Sequence, residues 1–211
     1  MDLKTIRKEY TLGSLDVKNS GDDPFPLFSR WMHEAVTAGV AEPTAMTLST
    51  LGSDGYPQSR VVLLKSFDHE GFTFFTNYES DKGIALKHHP MAALLFFWPE
   101  LQRQVRITGN VTRVSRETTE SYFATRPRGS QAGAWASEQS REIPSRAYLE
   151  ARFSETESRF AGTSIPAPAN WGGYLLGPVR IEFWQGRESR LHDRILFEKL
   201  ENCWNKKRLA P

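Results

Sequence analysis

Cysteine is scarce in this sequence, and long apolar runs are absent. The 211 residues include one cysteine, Cys203, so the chain cannot form an internal disulfide. The longest apolar run extends from Met91 to Trp98, far short of the ~20 residues that a membrane-spanning helix needs. The polar N-terminal stretch also lacks the apolar segment of a signal peptide. These absences predict a cytoplasmic protein that does not enter a membrane.

Motifs that hold metals or nucleotides are missing as well. The sequence has no HExxH, no paired CxxC, no glycine-rich phosphate loop and no GxSxG motif. We therefore expect no metal site, and we expect any phosphate group to be bound by side chains. Charge of one sign is not in excess, because 27 lysines and arginines are balanced by 25 acidic residues. This interspersion argues against the continuous basic track of a nucleic-acid-binding barrel.

The length is that of one globular domain. A chain of 211 residues buries roughly 70% of its surface on folding, which allows a core without a metal or a disulfide. Residues 1–24 are polar and end in the turn-forming sequence Ser20 to Pro24, which predicts a mobile N-terminal arm. We expect residues 25–211 to form a single domain.

Apolar periodicity predicts a mainly β domain with helices, of the α+β class. Helical spacing is present over residues 28–36, 80–89, 117–125 and 144–160. Strands are predicted over 45–51, 57–65, 72–76, 91–98, 102–115, 179–185, 190–197 and 203–205. Residues 91–98 are continuously apolar, as in a strand buried on both faces, and Gly109 predicts a bulge. Regular turn signals favour a small antiparallel barrel with peripheral helices over a parallel sheet.

The segment from Arg190 to Arg194 carries a cluster of bases. On a strand, Arg190, His192 and Arg194 project from one face, because side chains alternate. Such groups repel one another unless an anionic or electron-rich ligand lies between them, which favours a ligand site; a solvated sheet face is the alternative. On the preceding strand Glu182 and Trp184 share a face, so a carboxylate and a large ring are expected near these bases.

Two further groups of cations suggest anion binding. Arg60 and Lys65 lie on opposite faces of a predicted strand, which suits two anionic groups better than one; ordinary charges at a strand edge are the alternative. A third cluster consists of Tyr122, Arg126, Arg128 and Ser130: Tyr122 and Arg126 share a helix face, and the break that follows returns Ser130 towards them. Hydroxyls with a guanidinium suit a phosphate, although an arginine that complements a helix terminus gives the same pattern.

Ordered sequence blocks carry a resemblance to a known family. In chain order these blocks are IRKEY, AEPTAM, SRVVLLK, FFTNYESDKG, LQRQVRITG, YFATRPRGSQAGAWAS, EQS, PANWGGY, IEFWQGRESRLHDR and RLAP. They resemble the pyridoxamine 5'-phosphate oxidase family from about Ile6 to Pro211. The resemblance implies a homodimeric split β-barrel with FMN at the subunit interface. It also implies oxidation of pyridoxamine or pyridoxine 5'-phosphate to pyridoxal 5'-phosphate, with dioxygen as acceptor and hydrogen peroxide as a product.

The resemblance further implies roles for individual residues. The FMN contacts would be Arg60, Val61, Val62, Leu63, Leu64, Lys65, Phe75, Thr76, Lys82, Gln104, Gln139, Ser140, Trp184 and Arg194. The substrate contacts would be Lys65, Tyr122, Arg126 and Ser130 at the phosphate, Arg190, Leu191 and His192 at the pyridine ring, and Arg7, Lys8, Glu9 and Tyr10 in a closing lid. Arg190 and His192 would be the catalytic residues, and Glu42 matches an acidic position near the site.

One position departs from the family pattern. Many relatives have arginine where this chain has Asp81, beside Lys82. At ~8 Å and an effective dielectric of about 20, its charge would disfavour a phosphate by roughly 2 kcal/mol. Asp81 therefore either points outward or weakens flavin binding. The alternative function is a non-catalytic or differently specialised flavin-binding split barrel, although this chain keeps the whole substrate set.

Overall fold

Antiparallel strands form the body of the molecule. The computed structural model describes residues 2–6, 8–201 and 203–211, and within them it has one nine-stranded sheet. The strands are β1 Ala45–Leu51, β2 Pro57–Leu63, β3 Ser66–Asp68, β4 Gly71–Asn77, β5 Met91–Trp98, β6 Arg103–Arg113, β7 Trp171–Gln185, β8 Asp193–Leu200 and β9 Cys203–Leu209. The α-helices are α1 Pro24–Thr37, α2 Asp81–His88, α3 Arg116–Thr125, α4 Arg128–Ala136 and α5 Arg146–Arg159. The predicted α+β class with antiparallel strands and peripheral helices is confirmed.

The long strand β7 organises the sheet. The strand order is β2-β1-β5-β6-β7-β4-β3, and β8 pairs with both β7 and β9. On one edge β7 pairs with β6, while on the other its first part pairs with β4 and its last part with β8. The register with β6 shifts between Thr108 and Gly109, so a bulge occurs at the predicted place, but its extra residue is Val179 of β7, opposite Gly109. A bulge bends the strand, which lets the sheet curl into a split barrel.

Helix α1 packs into the concave side of this sheet. Asp23 caps the helix by accepting a hydrogen bond from the Phe25 N–H at 2.9 Å. Phe28 is fully buried, with its ring centroid 4.9 Å from that of Phe72 and 5.2 Å from that of Phe96. Burial of one such ring stabilises the fold by about 1.5–3 kcal/mol, so this cluster anchors the helix to β4 and β5.

The outer face of the sheet is partly apolar and uncovered. The prediction that residues 91–98 are buried on both faces is wrong, because β5 alternates: Phe97 is 51% exposed. The register sets Val61, Thr47 and Leu95 side by side across β2, β1 and β5, on the face that also carries Phe97. Val61 is 67% exposed. Exposed apolar side chains clustered on one sheet face indicate a surface that another molecule covers.

Several predicted boundaries are corrected by the hydrogen bonds of the main chain. The strand predicted over 57–65 ends at Leu63, because Leu64 N–H donates to Thr44 and Lys65 N–H to Thr73 as the chain crosses towards β4. Arg60 and Lys65 therefore do not lie on opposite faces of one strand. Helix α4 was not predicted, and the strand predicted over 179–185 is only the last part of β7.

The N-terminal segment lies against the strands β8 and β9. Leu15 is buried, and its N–H donates to Asp193 Oδ2 at 3.0 Å. Arg208 Nη2 donates to the Leu15 carbonyl at 3.1 Å, and Lys206 Nζ donates to the Gly21 carbonyl at 2.6 Å. Across the described residues, no helix combines the length and apolar character needed to cross a membrane.

Candidate active site

A cavity of about 800 Å³ opens beside β2 and β4, under the helices α3 and α4. Residues from four separate parts of the chain meet there, and the volume suits a cofactor together with a small substrate. The predicted site residues that line it are Val61, Val62, Leu63, Lys65, Phe75, Thr76, Lys82, Tyr122, Arg126, Ser130 and Gln139. These residues are referred to below as the cavity set.

Stacked aromatic rings form one wall of the cavity. The ring centroids of Phe75 and Tyr122 are 4.0 Å apart, and those of Phe75 and Trp171 are 5.5 Å apart, with nearly parallel planes. The Arg126 guanidinium lies 4.6 Å from the centroid of the Trp171 ring. Trp171 was not among the predicted site residues, although its place in the PANWGGY block was a signal. It fixes the position of Arg126 through a cation–π contact.

Arg126 carries an unused hydrogen-bond donor. Its Nη1 atom is buried and has no partner among the residues that the structure describes. Burial lowers the pKa of Arg126, and the neighbouring Tyr122 opposes that shift. A buried guanidinium N–H without an acceptor is destabilising, so an anion in the cavity would satisfy it. Ser130, which α4 brings to the same cavity, adds a hydroxyl.

A second polar corner of the cavity lies at the start of α2. Ser80 caps this helix, and the buried Lys82 in its first turn donates to Gln139 Oε1 at 3.0 Å. Thr76 Oγ1 donates to the same oxygen at 3.1 Å. Burial lowers the pKa of Lys82, and the charge of Arg60 lowers it further. Two cations held close together favour an anionic ligand between them.

Three predicted cofactor contacts lie beside the cavity lining. Arg60 is half-buried and donates to Thr50 Oγ1 at 2.7 Å. Leu64 belongs to the core, and Ser140 is exposed next to Gln139 with a φ of +70°. Glu42 is exposed and does not line the cavity.

A second group of predicted residues lies where β7 pairs with β8. Trp184 of β7 pairs in register with Gln104 of β6 and with Arg194 of β8. The ring centroid of His192 is 4.5 Å from that of Trp184, and the ring of Tyr10 lies 5.8 Å from both. With Arg190, these residues are referred to below as the β7–β8 set: Tyr10, Gln104, Trp184, Arg190, His192 and Arg194.

Glu182 holds Arg194 in place. Arg194 Nε donates to Glu182 Oε1 at 2.9 Å, and its Nη1 donates to the Ala210 carbonyl at 2.9 Å. The hydrogen bond to Glu182 raises the pKa of Arg194. The prediction that Glu182 and Trp184 lie near the bases agrees with this geometry, because Arg194 contacts the first and pairs in register with the second.

The prediction of one strand face shared by Arg190, His192 and Arg194 is wrong. Glu188–Arg190 form a 3-10 turn, and β8 begins only at Asp193. Ser189 and Arg190 have φ values of 54° and 62°, which no extended strand accommodates. Two successive non-glycine residues in this region store backbone strain, a feature that clusters at functional sites. Arg190 is exposed on this turn.

The backbone fixes one tautomer of His192. Its Nδ1 accepts a hydrogen bond from the Arg187 N–H at 3.1 Å, so the neutral ring carries its proton on Nε2. Burial lowers the pKa of His192, and the positive charge of Arg190 lowers it further. His192 therefore presents a neutral N–H donor near the exposed turn.

The predicted lid residues meet the same end of β7. Tyr10 packs on Trp184 and His192, and Glu9 Oε2 accepts from the Ser189 N–H at 3.4 Å. Lys8 is exposed, and Leu191 is 70% exposed on the turn. Arg7 lies outside the described residues.

The two sets are far apart in one chain. Thr76 of the cavity set pairs with Gly172, whereas Arg194 pairs with Trp184, twelve positions further along β7. At ~3.3 Å per residue, about 40 Å is an upper limit for the distance between these positions, because β7 bends at its bulge. No member of the β7–β8 set lines the cavity. Within a single chain, the two groups of predicted site residues therefore lie towards opposite ends of β7.

Comparison of the sequence with models of known protein families identifies the family of this chain. A family model described as "Pyridoxamine 5'-phosphate oxidase" matches residues 32–160, and one described as "Pyridoxine 5'-phosphate oxidase C-terminal dimerisation region" matches residues 171–211. The chain belongs to the pyridoxamine 5'-phosphate oxidase family. The family match includes every described residue of the cavity set, while the dimerisation region includes β7, β8 and β9.

Individual members of the pyridoxamine 5'-phosphate oxidase family agree over the whole length. The chain is 53% identical to the pyridoxine/pyridoxamine 5'-phosphate oxidase of Leptospira interrogans, with 99% of this chain and 98% of the relative covered. It is 54% identical to the enzyme of the same name from Cupriavidus necator, with 99% of each chain covered.

Solved structures show the same fold. PhzG from Burkholderia lata, in complex with tetrahydrophenazine-1-carboxylic acid, superposes with a TM-score of 0.87 at 33% identity, covering 94% of this chain and 100% of that chain. A pyridoxamine 5'-phosphate oxidase-related, FMN-binding protein from Nostoc punctiforme superposes with a TM-score of 0.70 at 17% identity, with the same coverage. The predicted split-barrel fold is confirmed by these likenesses.

Proposed function

We propose that this protein is an FMN-dependent oxidase that converts pyridoxamine or pyridoxine 5'-phosphate to pyridoxal 5'-phosphate. Dioxygen is the electron acceptor, hydrogen peroxide is released, and the amine substrate also releases ammonia. The family models and the full-length relatives that carry this activity in their names support the assignment. The observation that carries it in this chain is the buried, unpaired Nη1 of Arg126 in a cavity that also holds Lys65, Tyr122 and Ser130.

The residues of the cavity fit FMN as the resident cofactor. Lys82, Arg60, Gln139 and Ser140 form the polar corner that would hold its phosphate, and Val61 to Leu63 with Phe75 and Thr76 would contact the rest of the molecule. When bound, FMN takes up two electrons from the substrate and delivers them to dioxygen. A buried Lys82 with a lowered pKa supports this role, because a phosphate restores the interactions that the ammonium lost on burial.

The substrate phosphate is assigned to Arg126, at the side of the cavity formed by α3 and α4. Arg126 offers its free N–H, and Lys65, Tyr122 and Ser130 add an ammonium and two hydroxyls. A phosphate dianion removed from water needs several charge-assisted donors, which this group provides. Arg60 with Lys82 and Arg126 with Lys65 thus form two separate phosphate sites.

Arg190 and His192 are proposed to contact the reacting end of the substrate. The strained turn exposes the Arg190 cation, which would orient the pyridine ring and stabilise charge that moves during oxidation. His192 would donate from Nε2 or relay a proton, since its ring is neutral near pH 7. Residues 1–24 are proposed to act as an arm whose Tyr10 and neighbours close over this end.

The active site is proposed to be shared between the two subunits of a homodimer. The C-terminal dimerisation region supports the dimer, and the exposed outer face with Val61 and Phe97 supplies apolar surface for it. In a two-fold dimer the β7–β8 set of one subunit would meet the cavity set of the other, which resolves their separation within one chain. We also propose a reducing, cytoplasmic location, which the free, exposed thiol of Cys203 supports.

One experiment tests the proposed activity. The purified protein is incubated with FMN, and then with pyridoxamine 5'-phosphate in air. We expect a yellow protein, oxygen consumption and the absorbance of pyridoxal 5'-phosphate. A differently specialised family member, such as one acting on tetrahydrophenazine-type rings, would bind FMN but leave pyridoxamine 5'-phosphate unchanged. A colourless protein that stays inert after FMN is supplied would contradict the oxidase assignment.

A further inference from the structure

One side chain ties the turn that carries Gln139 and Ser140 to the start of α2. Arg141 Nη2 donates to the Glu79 carbonyl at 2.6 Å, and Arg141 Nη1 lies 3.5 Å from Asp81 Oδ1. The backbone N–H of Arg141 donates to the Glu138 carbonyl at 3.0 Å, which closes the turn. Arg141 therefore joins the turn to the residues that directly precede Lys82.

Asp81 places an acid beside the polar corner of the cavity. It occupies the first turn of α2, next to the buried Lys82. Its charge raises the pKa of Lys82 and of Arg60, in opposition to burial, so it acts on both cations. A carboxylate in that place repels an anionic ligand unless another cation compensates it. Asp81 is exposed and points to Arg141, which provides that compensation.

We infer that Arg141 is a cofactor-positioning residue, which neutralises Asp81 and fastens the Gln139–Ser140 turn over the polar corner of the cavity. This inference rests on the proposed function, because the ligand concerned is the phosphate of FMN. Arg141 acts through Asp81 and through the turn, not by contact with the reacting atoms.

The test measures FMN affinity in four proteins: the wild type, Arg141→Ala, Asp81→Asn and the double variant. Flavin dissociation is followed by fluorescence on dilution of each holoenzyme, at low and at high salt. Arg146→Ala is the matched control, because it removes an equally charged side chain, paired with Glu150 at 2.8 Å, from the nearby α5. Arg141→Lys serves as a conservative variant that keeps the charge.

Arg141→Ala is expected to raise the FMN dissociation constant roughly three- to tenfold at low salt, the range of an exposed ion pair with a charge-assisted hydrogen bond. The loss should shrink at high salt, because screening weakens the repulsion from Asp81. In the Asp81→Asn background the same substitution should cost clearly less, and Arg141→Lys should recover part of the affinity.

Two results would overturn the inference. One is an Arg141→Ala protein that holds FMN as tightly as the Arg146→Ala control; the other is an equal loss in the wild-type and Asp81→Asn backgrounds. Both outcomes are read against a wild-type protein that binds FMN. A wild-type protein that binds no FMN would instead contradict the proposed function, so the two failures are distinguishable.

Discussion

At the scale of single residues, two buried or partly buried cations define the cavity. Arg126 is fixed over Trp171 with one donor free, and Lys82 is buried against Gln139. Desolvation makes such groups costly to bury on folding, and it makes their interaction with a phosphate stronger than it would be in water. Desolvation by burial is also the main reason why the pKa values of Arg126 and Lys82 are lowered. Phosphate binding is therefore the role that we propose for Arg126 and Lys82.

Replacement of Arg126 should affect the substrate and spare the cofactor. Arg126→Gln is expected to raise KM for pyridoxamine 5'-phosphate about ten- to a hundredfold, since a hydrogen bond to a charged group contributes about 1.5–3 kcal/mol. FMN affinity should change little. Steady-state kinetics and flavin titration check both parts. Arg128→Gln is the control, because Arg128 donates to the carbonyls of Thr163 and Phe160 outside the cavity. Equal effects of the two substitutions would contradict the assignment.

The protonation of His192 gives a second prediction at this scale. Burial first and Arg190 second lower the pKa of His192 below its ordinary value of 6.5. As pH falls, the unfolded chain takes up this proton before the folded protein does, so His192 reduces stability progressively on the acid side. We expect a ring NMR titration to give a pKa below 6.5 and Arg190→Leu to raise it in part. A pKa of His192 above 6.5 in the wild-type protein would contradict the assignment of His192 as a neutral hydrogen-bond donor.

At the scale of secondary-structure elements, periodic segments were predictable and strained ones were not. Apolar periodicity over residues 102–115 predicted β6, and Gly109 marked the place where its register with β7 shifts. The turn at Arg190 was missed because Ser189 and Arg190 have positive φ values although neither residue is a glycine, the residue type that usually indicates such values. Helix α4 was missed because glycine and serine lower its intrinsic helix propensity, and its packing against α5 decides the outcome.

The exposed face of β5 shows a further limit of sequence patterns. An unbroken apolar run predicts burial on both faces, yet Phe97 is exposed in the single chain. The run is consistent with burial once a partner subunit covers the outer face.

In the site, residue types and local pairs such as Tyr122 with Arg126 were predictable. The roles of Trp171, Glu182 and Arg141 depend on contacts between distant segments, which spacing does not encode.

The contact between the N-terminal segment and the end of β7 is testable through one glycine. A Cβ added at Gly186 would lie 2.8 Å from Tyr10 Cγ, too close for the ring to remain. Gly186→Ala is therefore expected to displace Tyr10 and lower kcat/KM several-fold while FMN stays bound. The same change in a Tyr10→Gly background should have little effect, because the clash involves both Cβ and Cγ of Tyr10 and both are then absent. Similar losses in both backgrounds would show that Gly186 acts without Tyr10.

At the scale of the whole molecule, one homodimer would explain both the exposed apolar face and the separation of the cavity set from the β7–β8 set. Val61 belongs both to the cavity lining and to the exposed apolar face, so the proposed cofactor site and the proposed interface are continuous. Formation of the dimer would cover apolar surface and bring the β7–β8 set to the cavity in one step. Flavin binding and dimer formation are therefore expected to depend on each other.

Disruption of the outer face should remove the flavin as well as the partner. Phe97→Glu places a charge in the proposed interface, where two copies occur, and is expected to weaken the dimer at least about a hundredfold. Analytical ultracentrifugation should show a monomer, and the purified protein should lose its colour. Val36→Glu is the control, because Val36 is also exposed but lies on α1. A monomer that keeps FMN with wild-type affinity would contradict the coupling.

The sharing of each active site between two subunits is tested most directly with a mixed dimer. One subunit carries Arg126→Gln and the other carries Arg190→Leu, each with its own affinity tag, and the heterodimer is purified through both tags. If the cavity set of one subunit joins the β7–β8 set of the other, one of the two sites is fully wild type, and about half of the wild-type activity is expected per dimer. If each site is built within one chain, both sites carry a substitution. Activity no higher than that of the two parent variants would contradict the account.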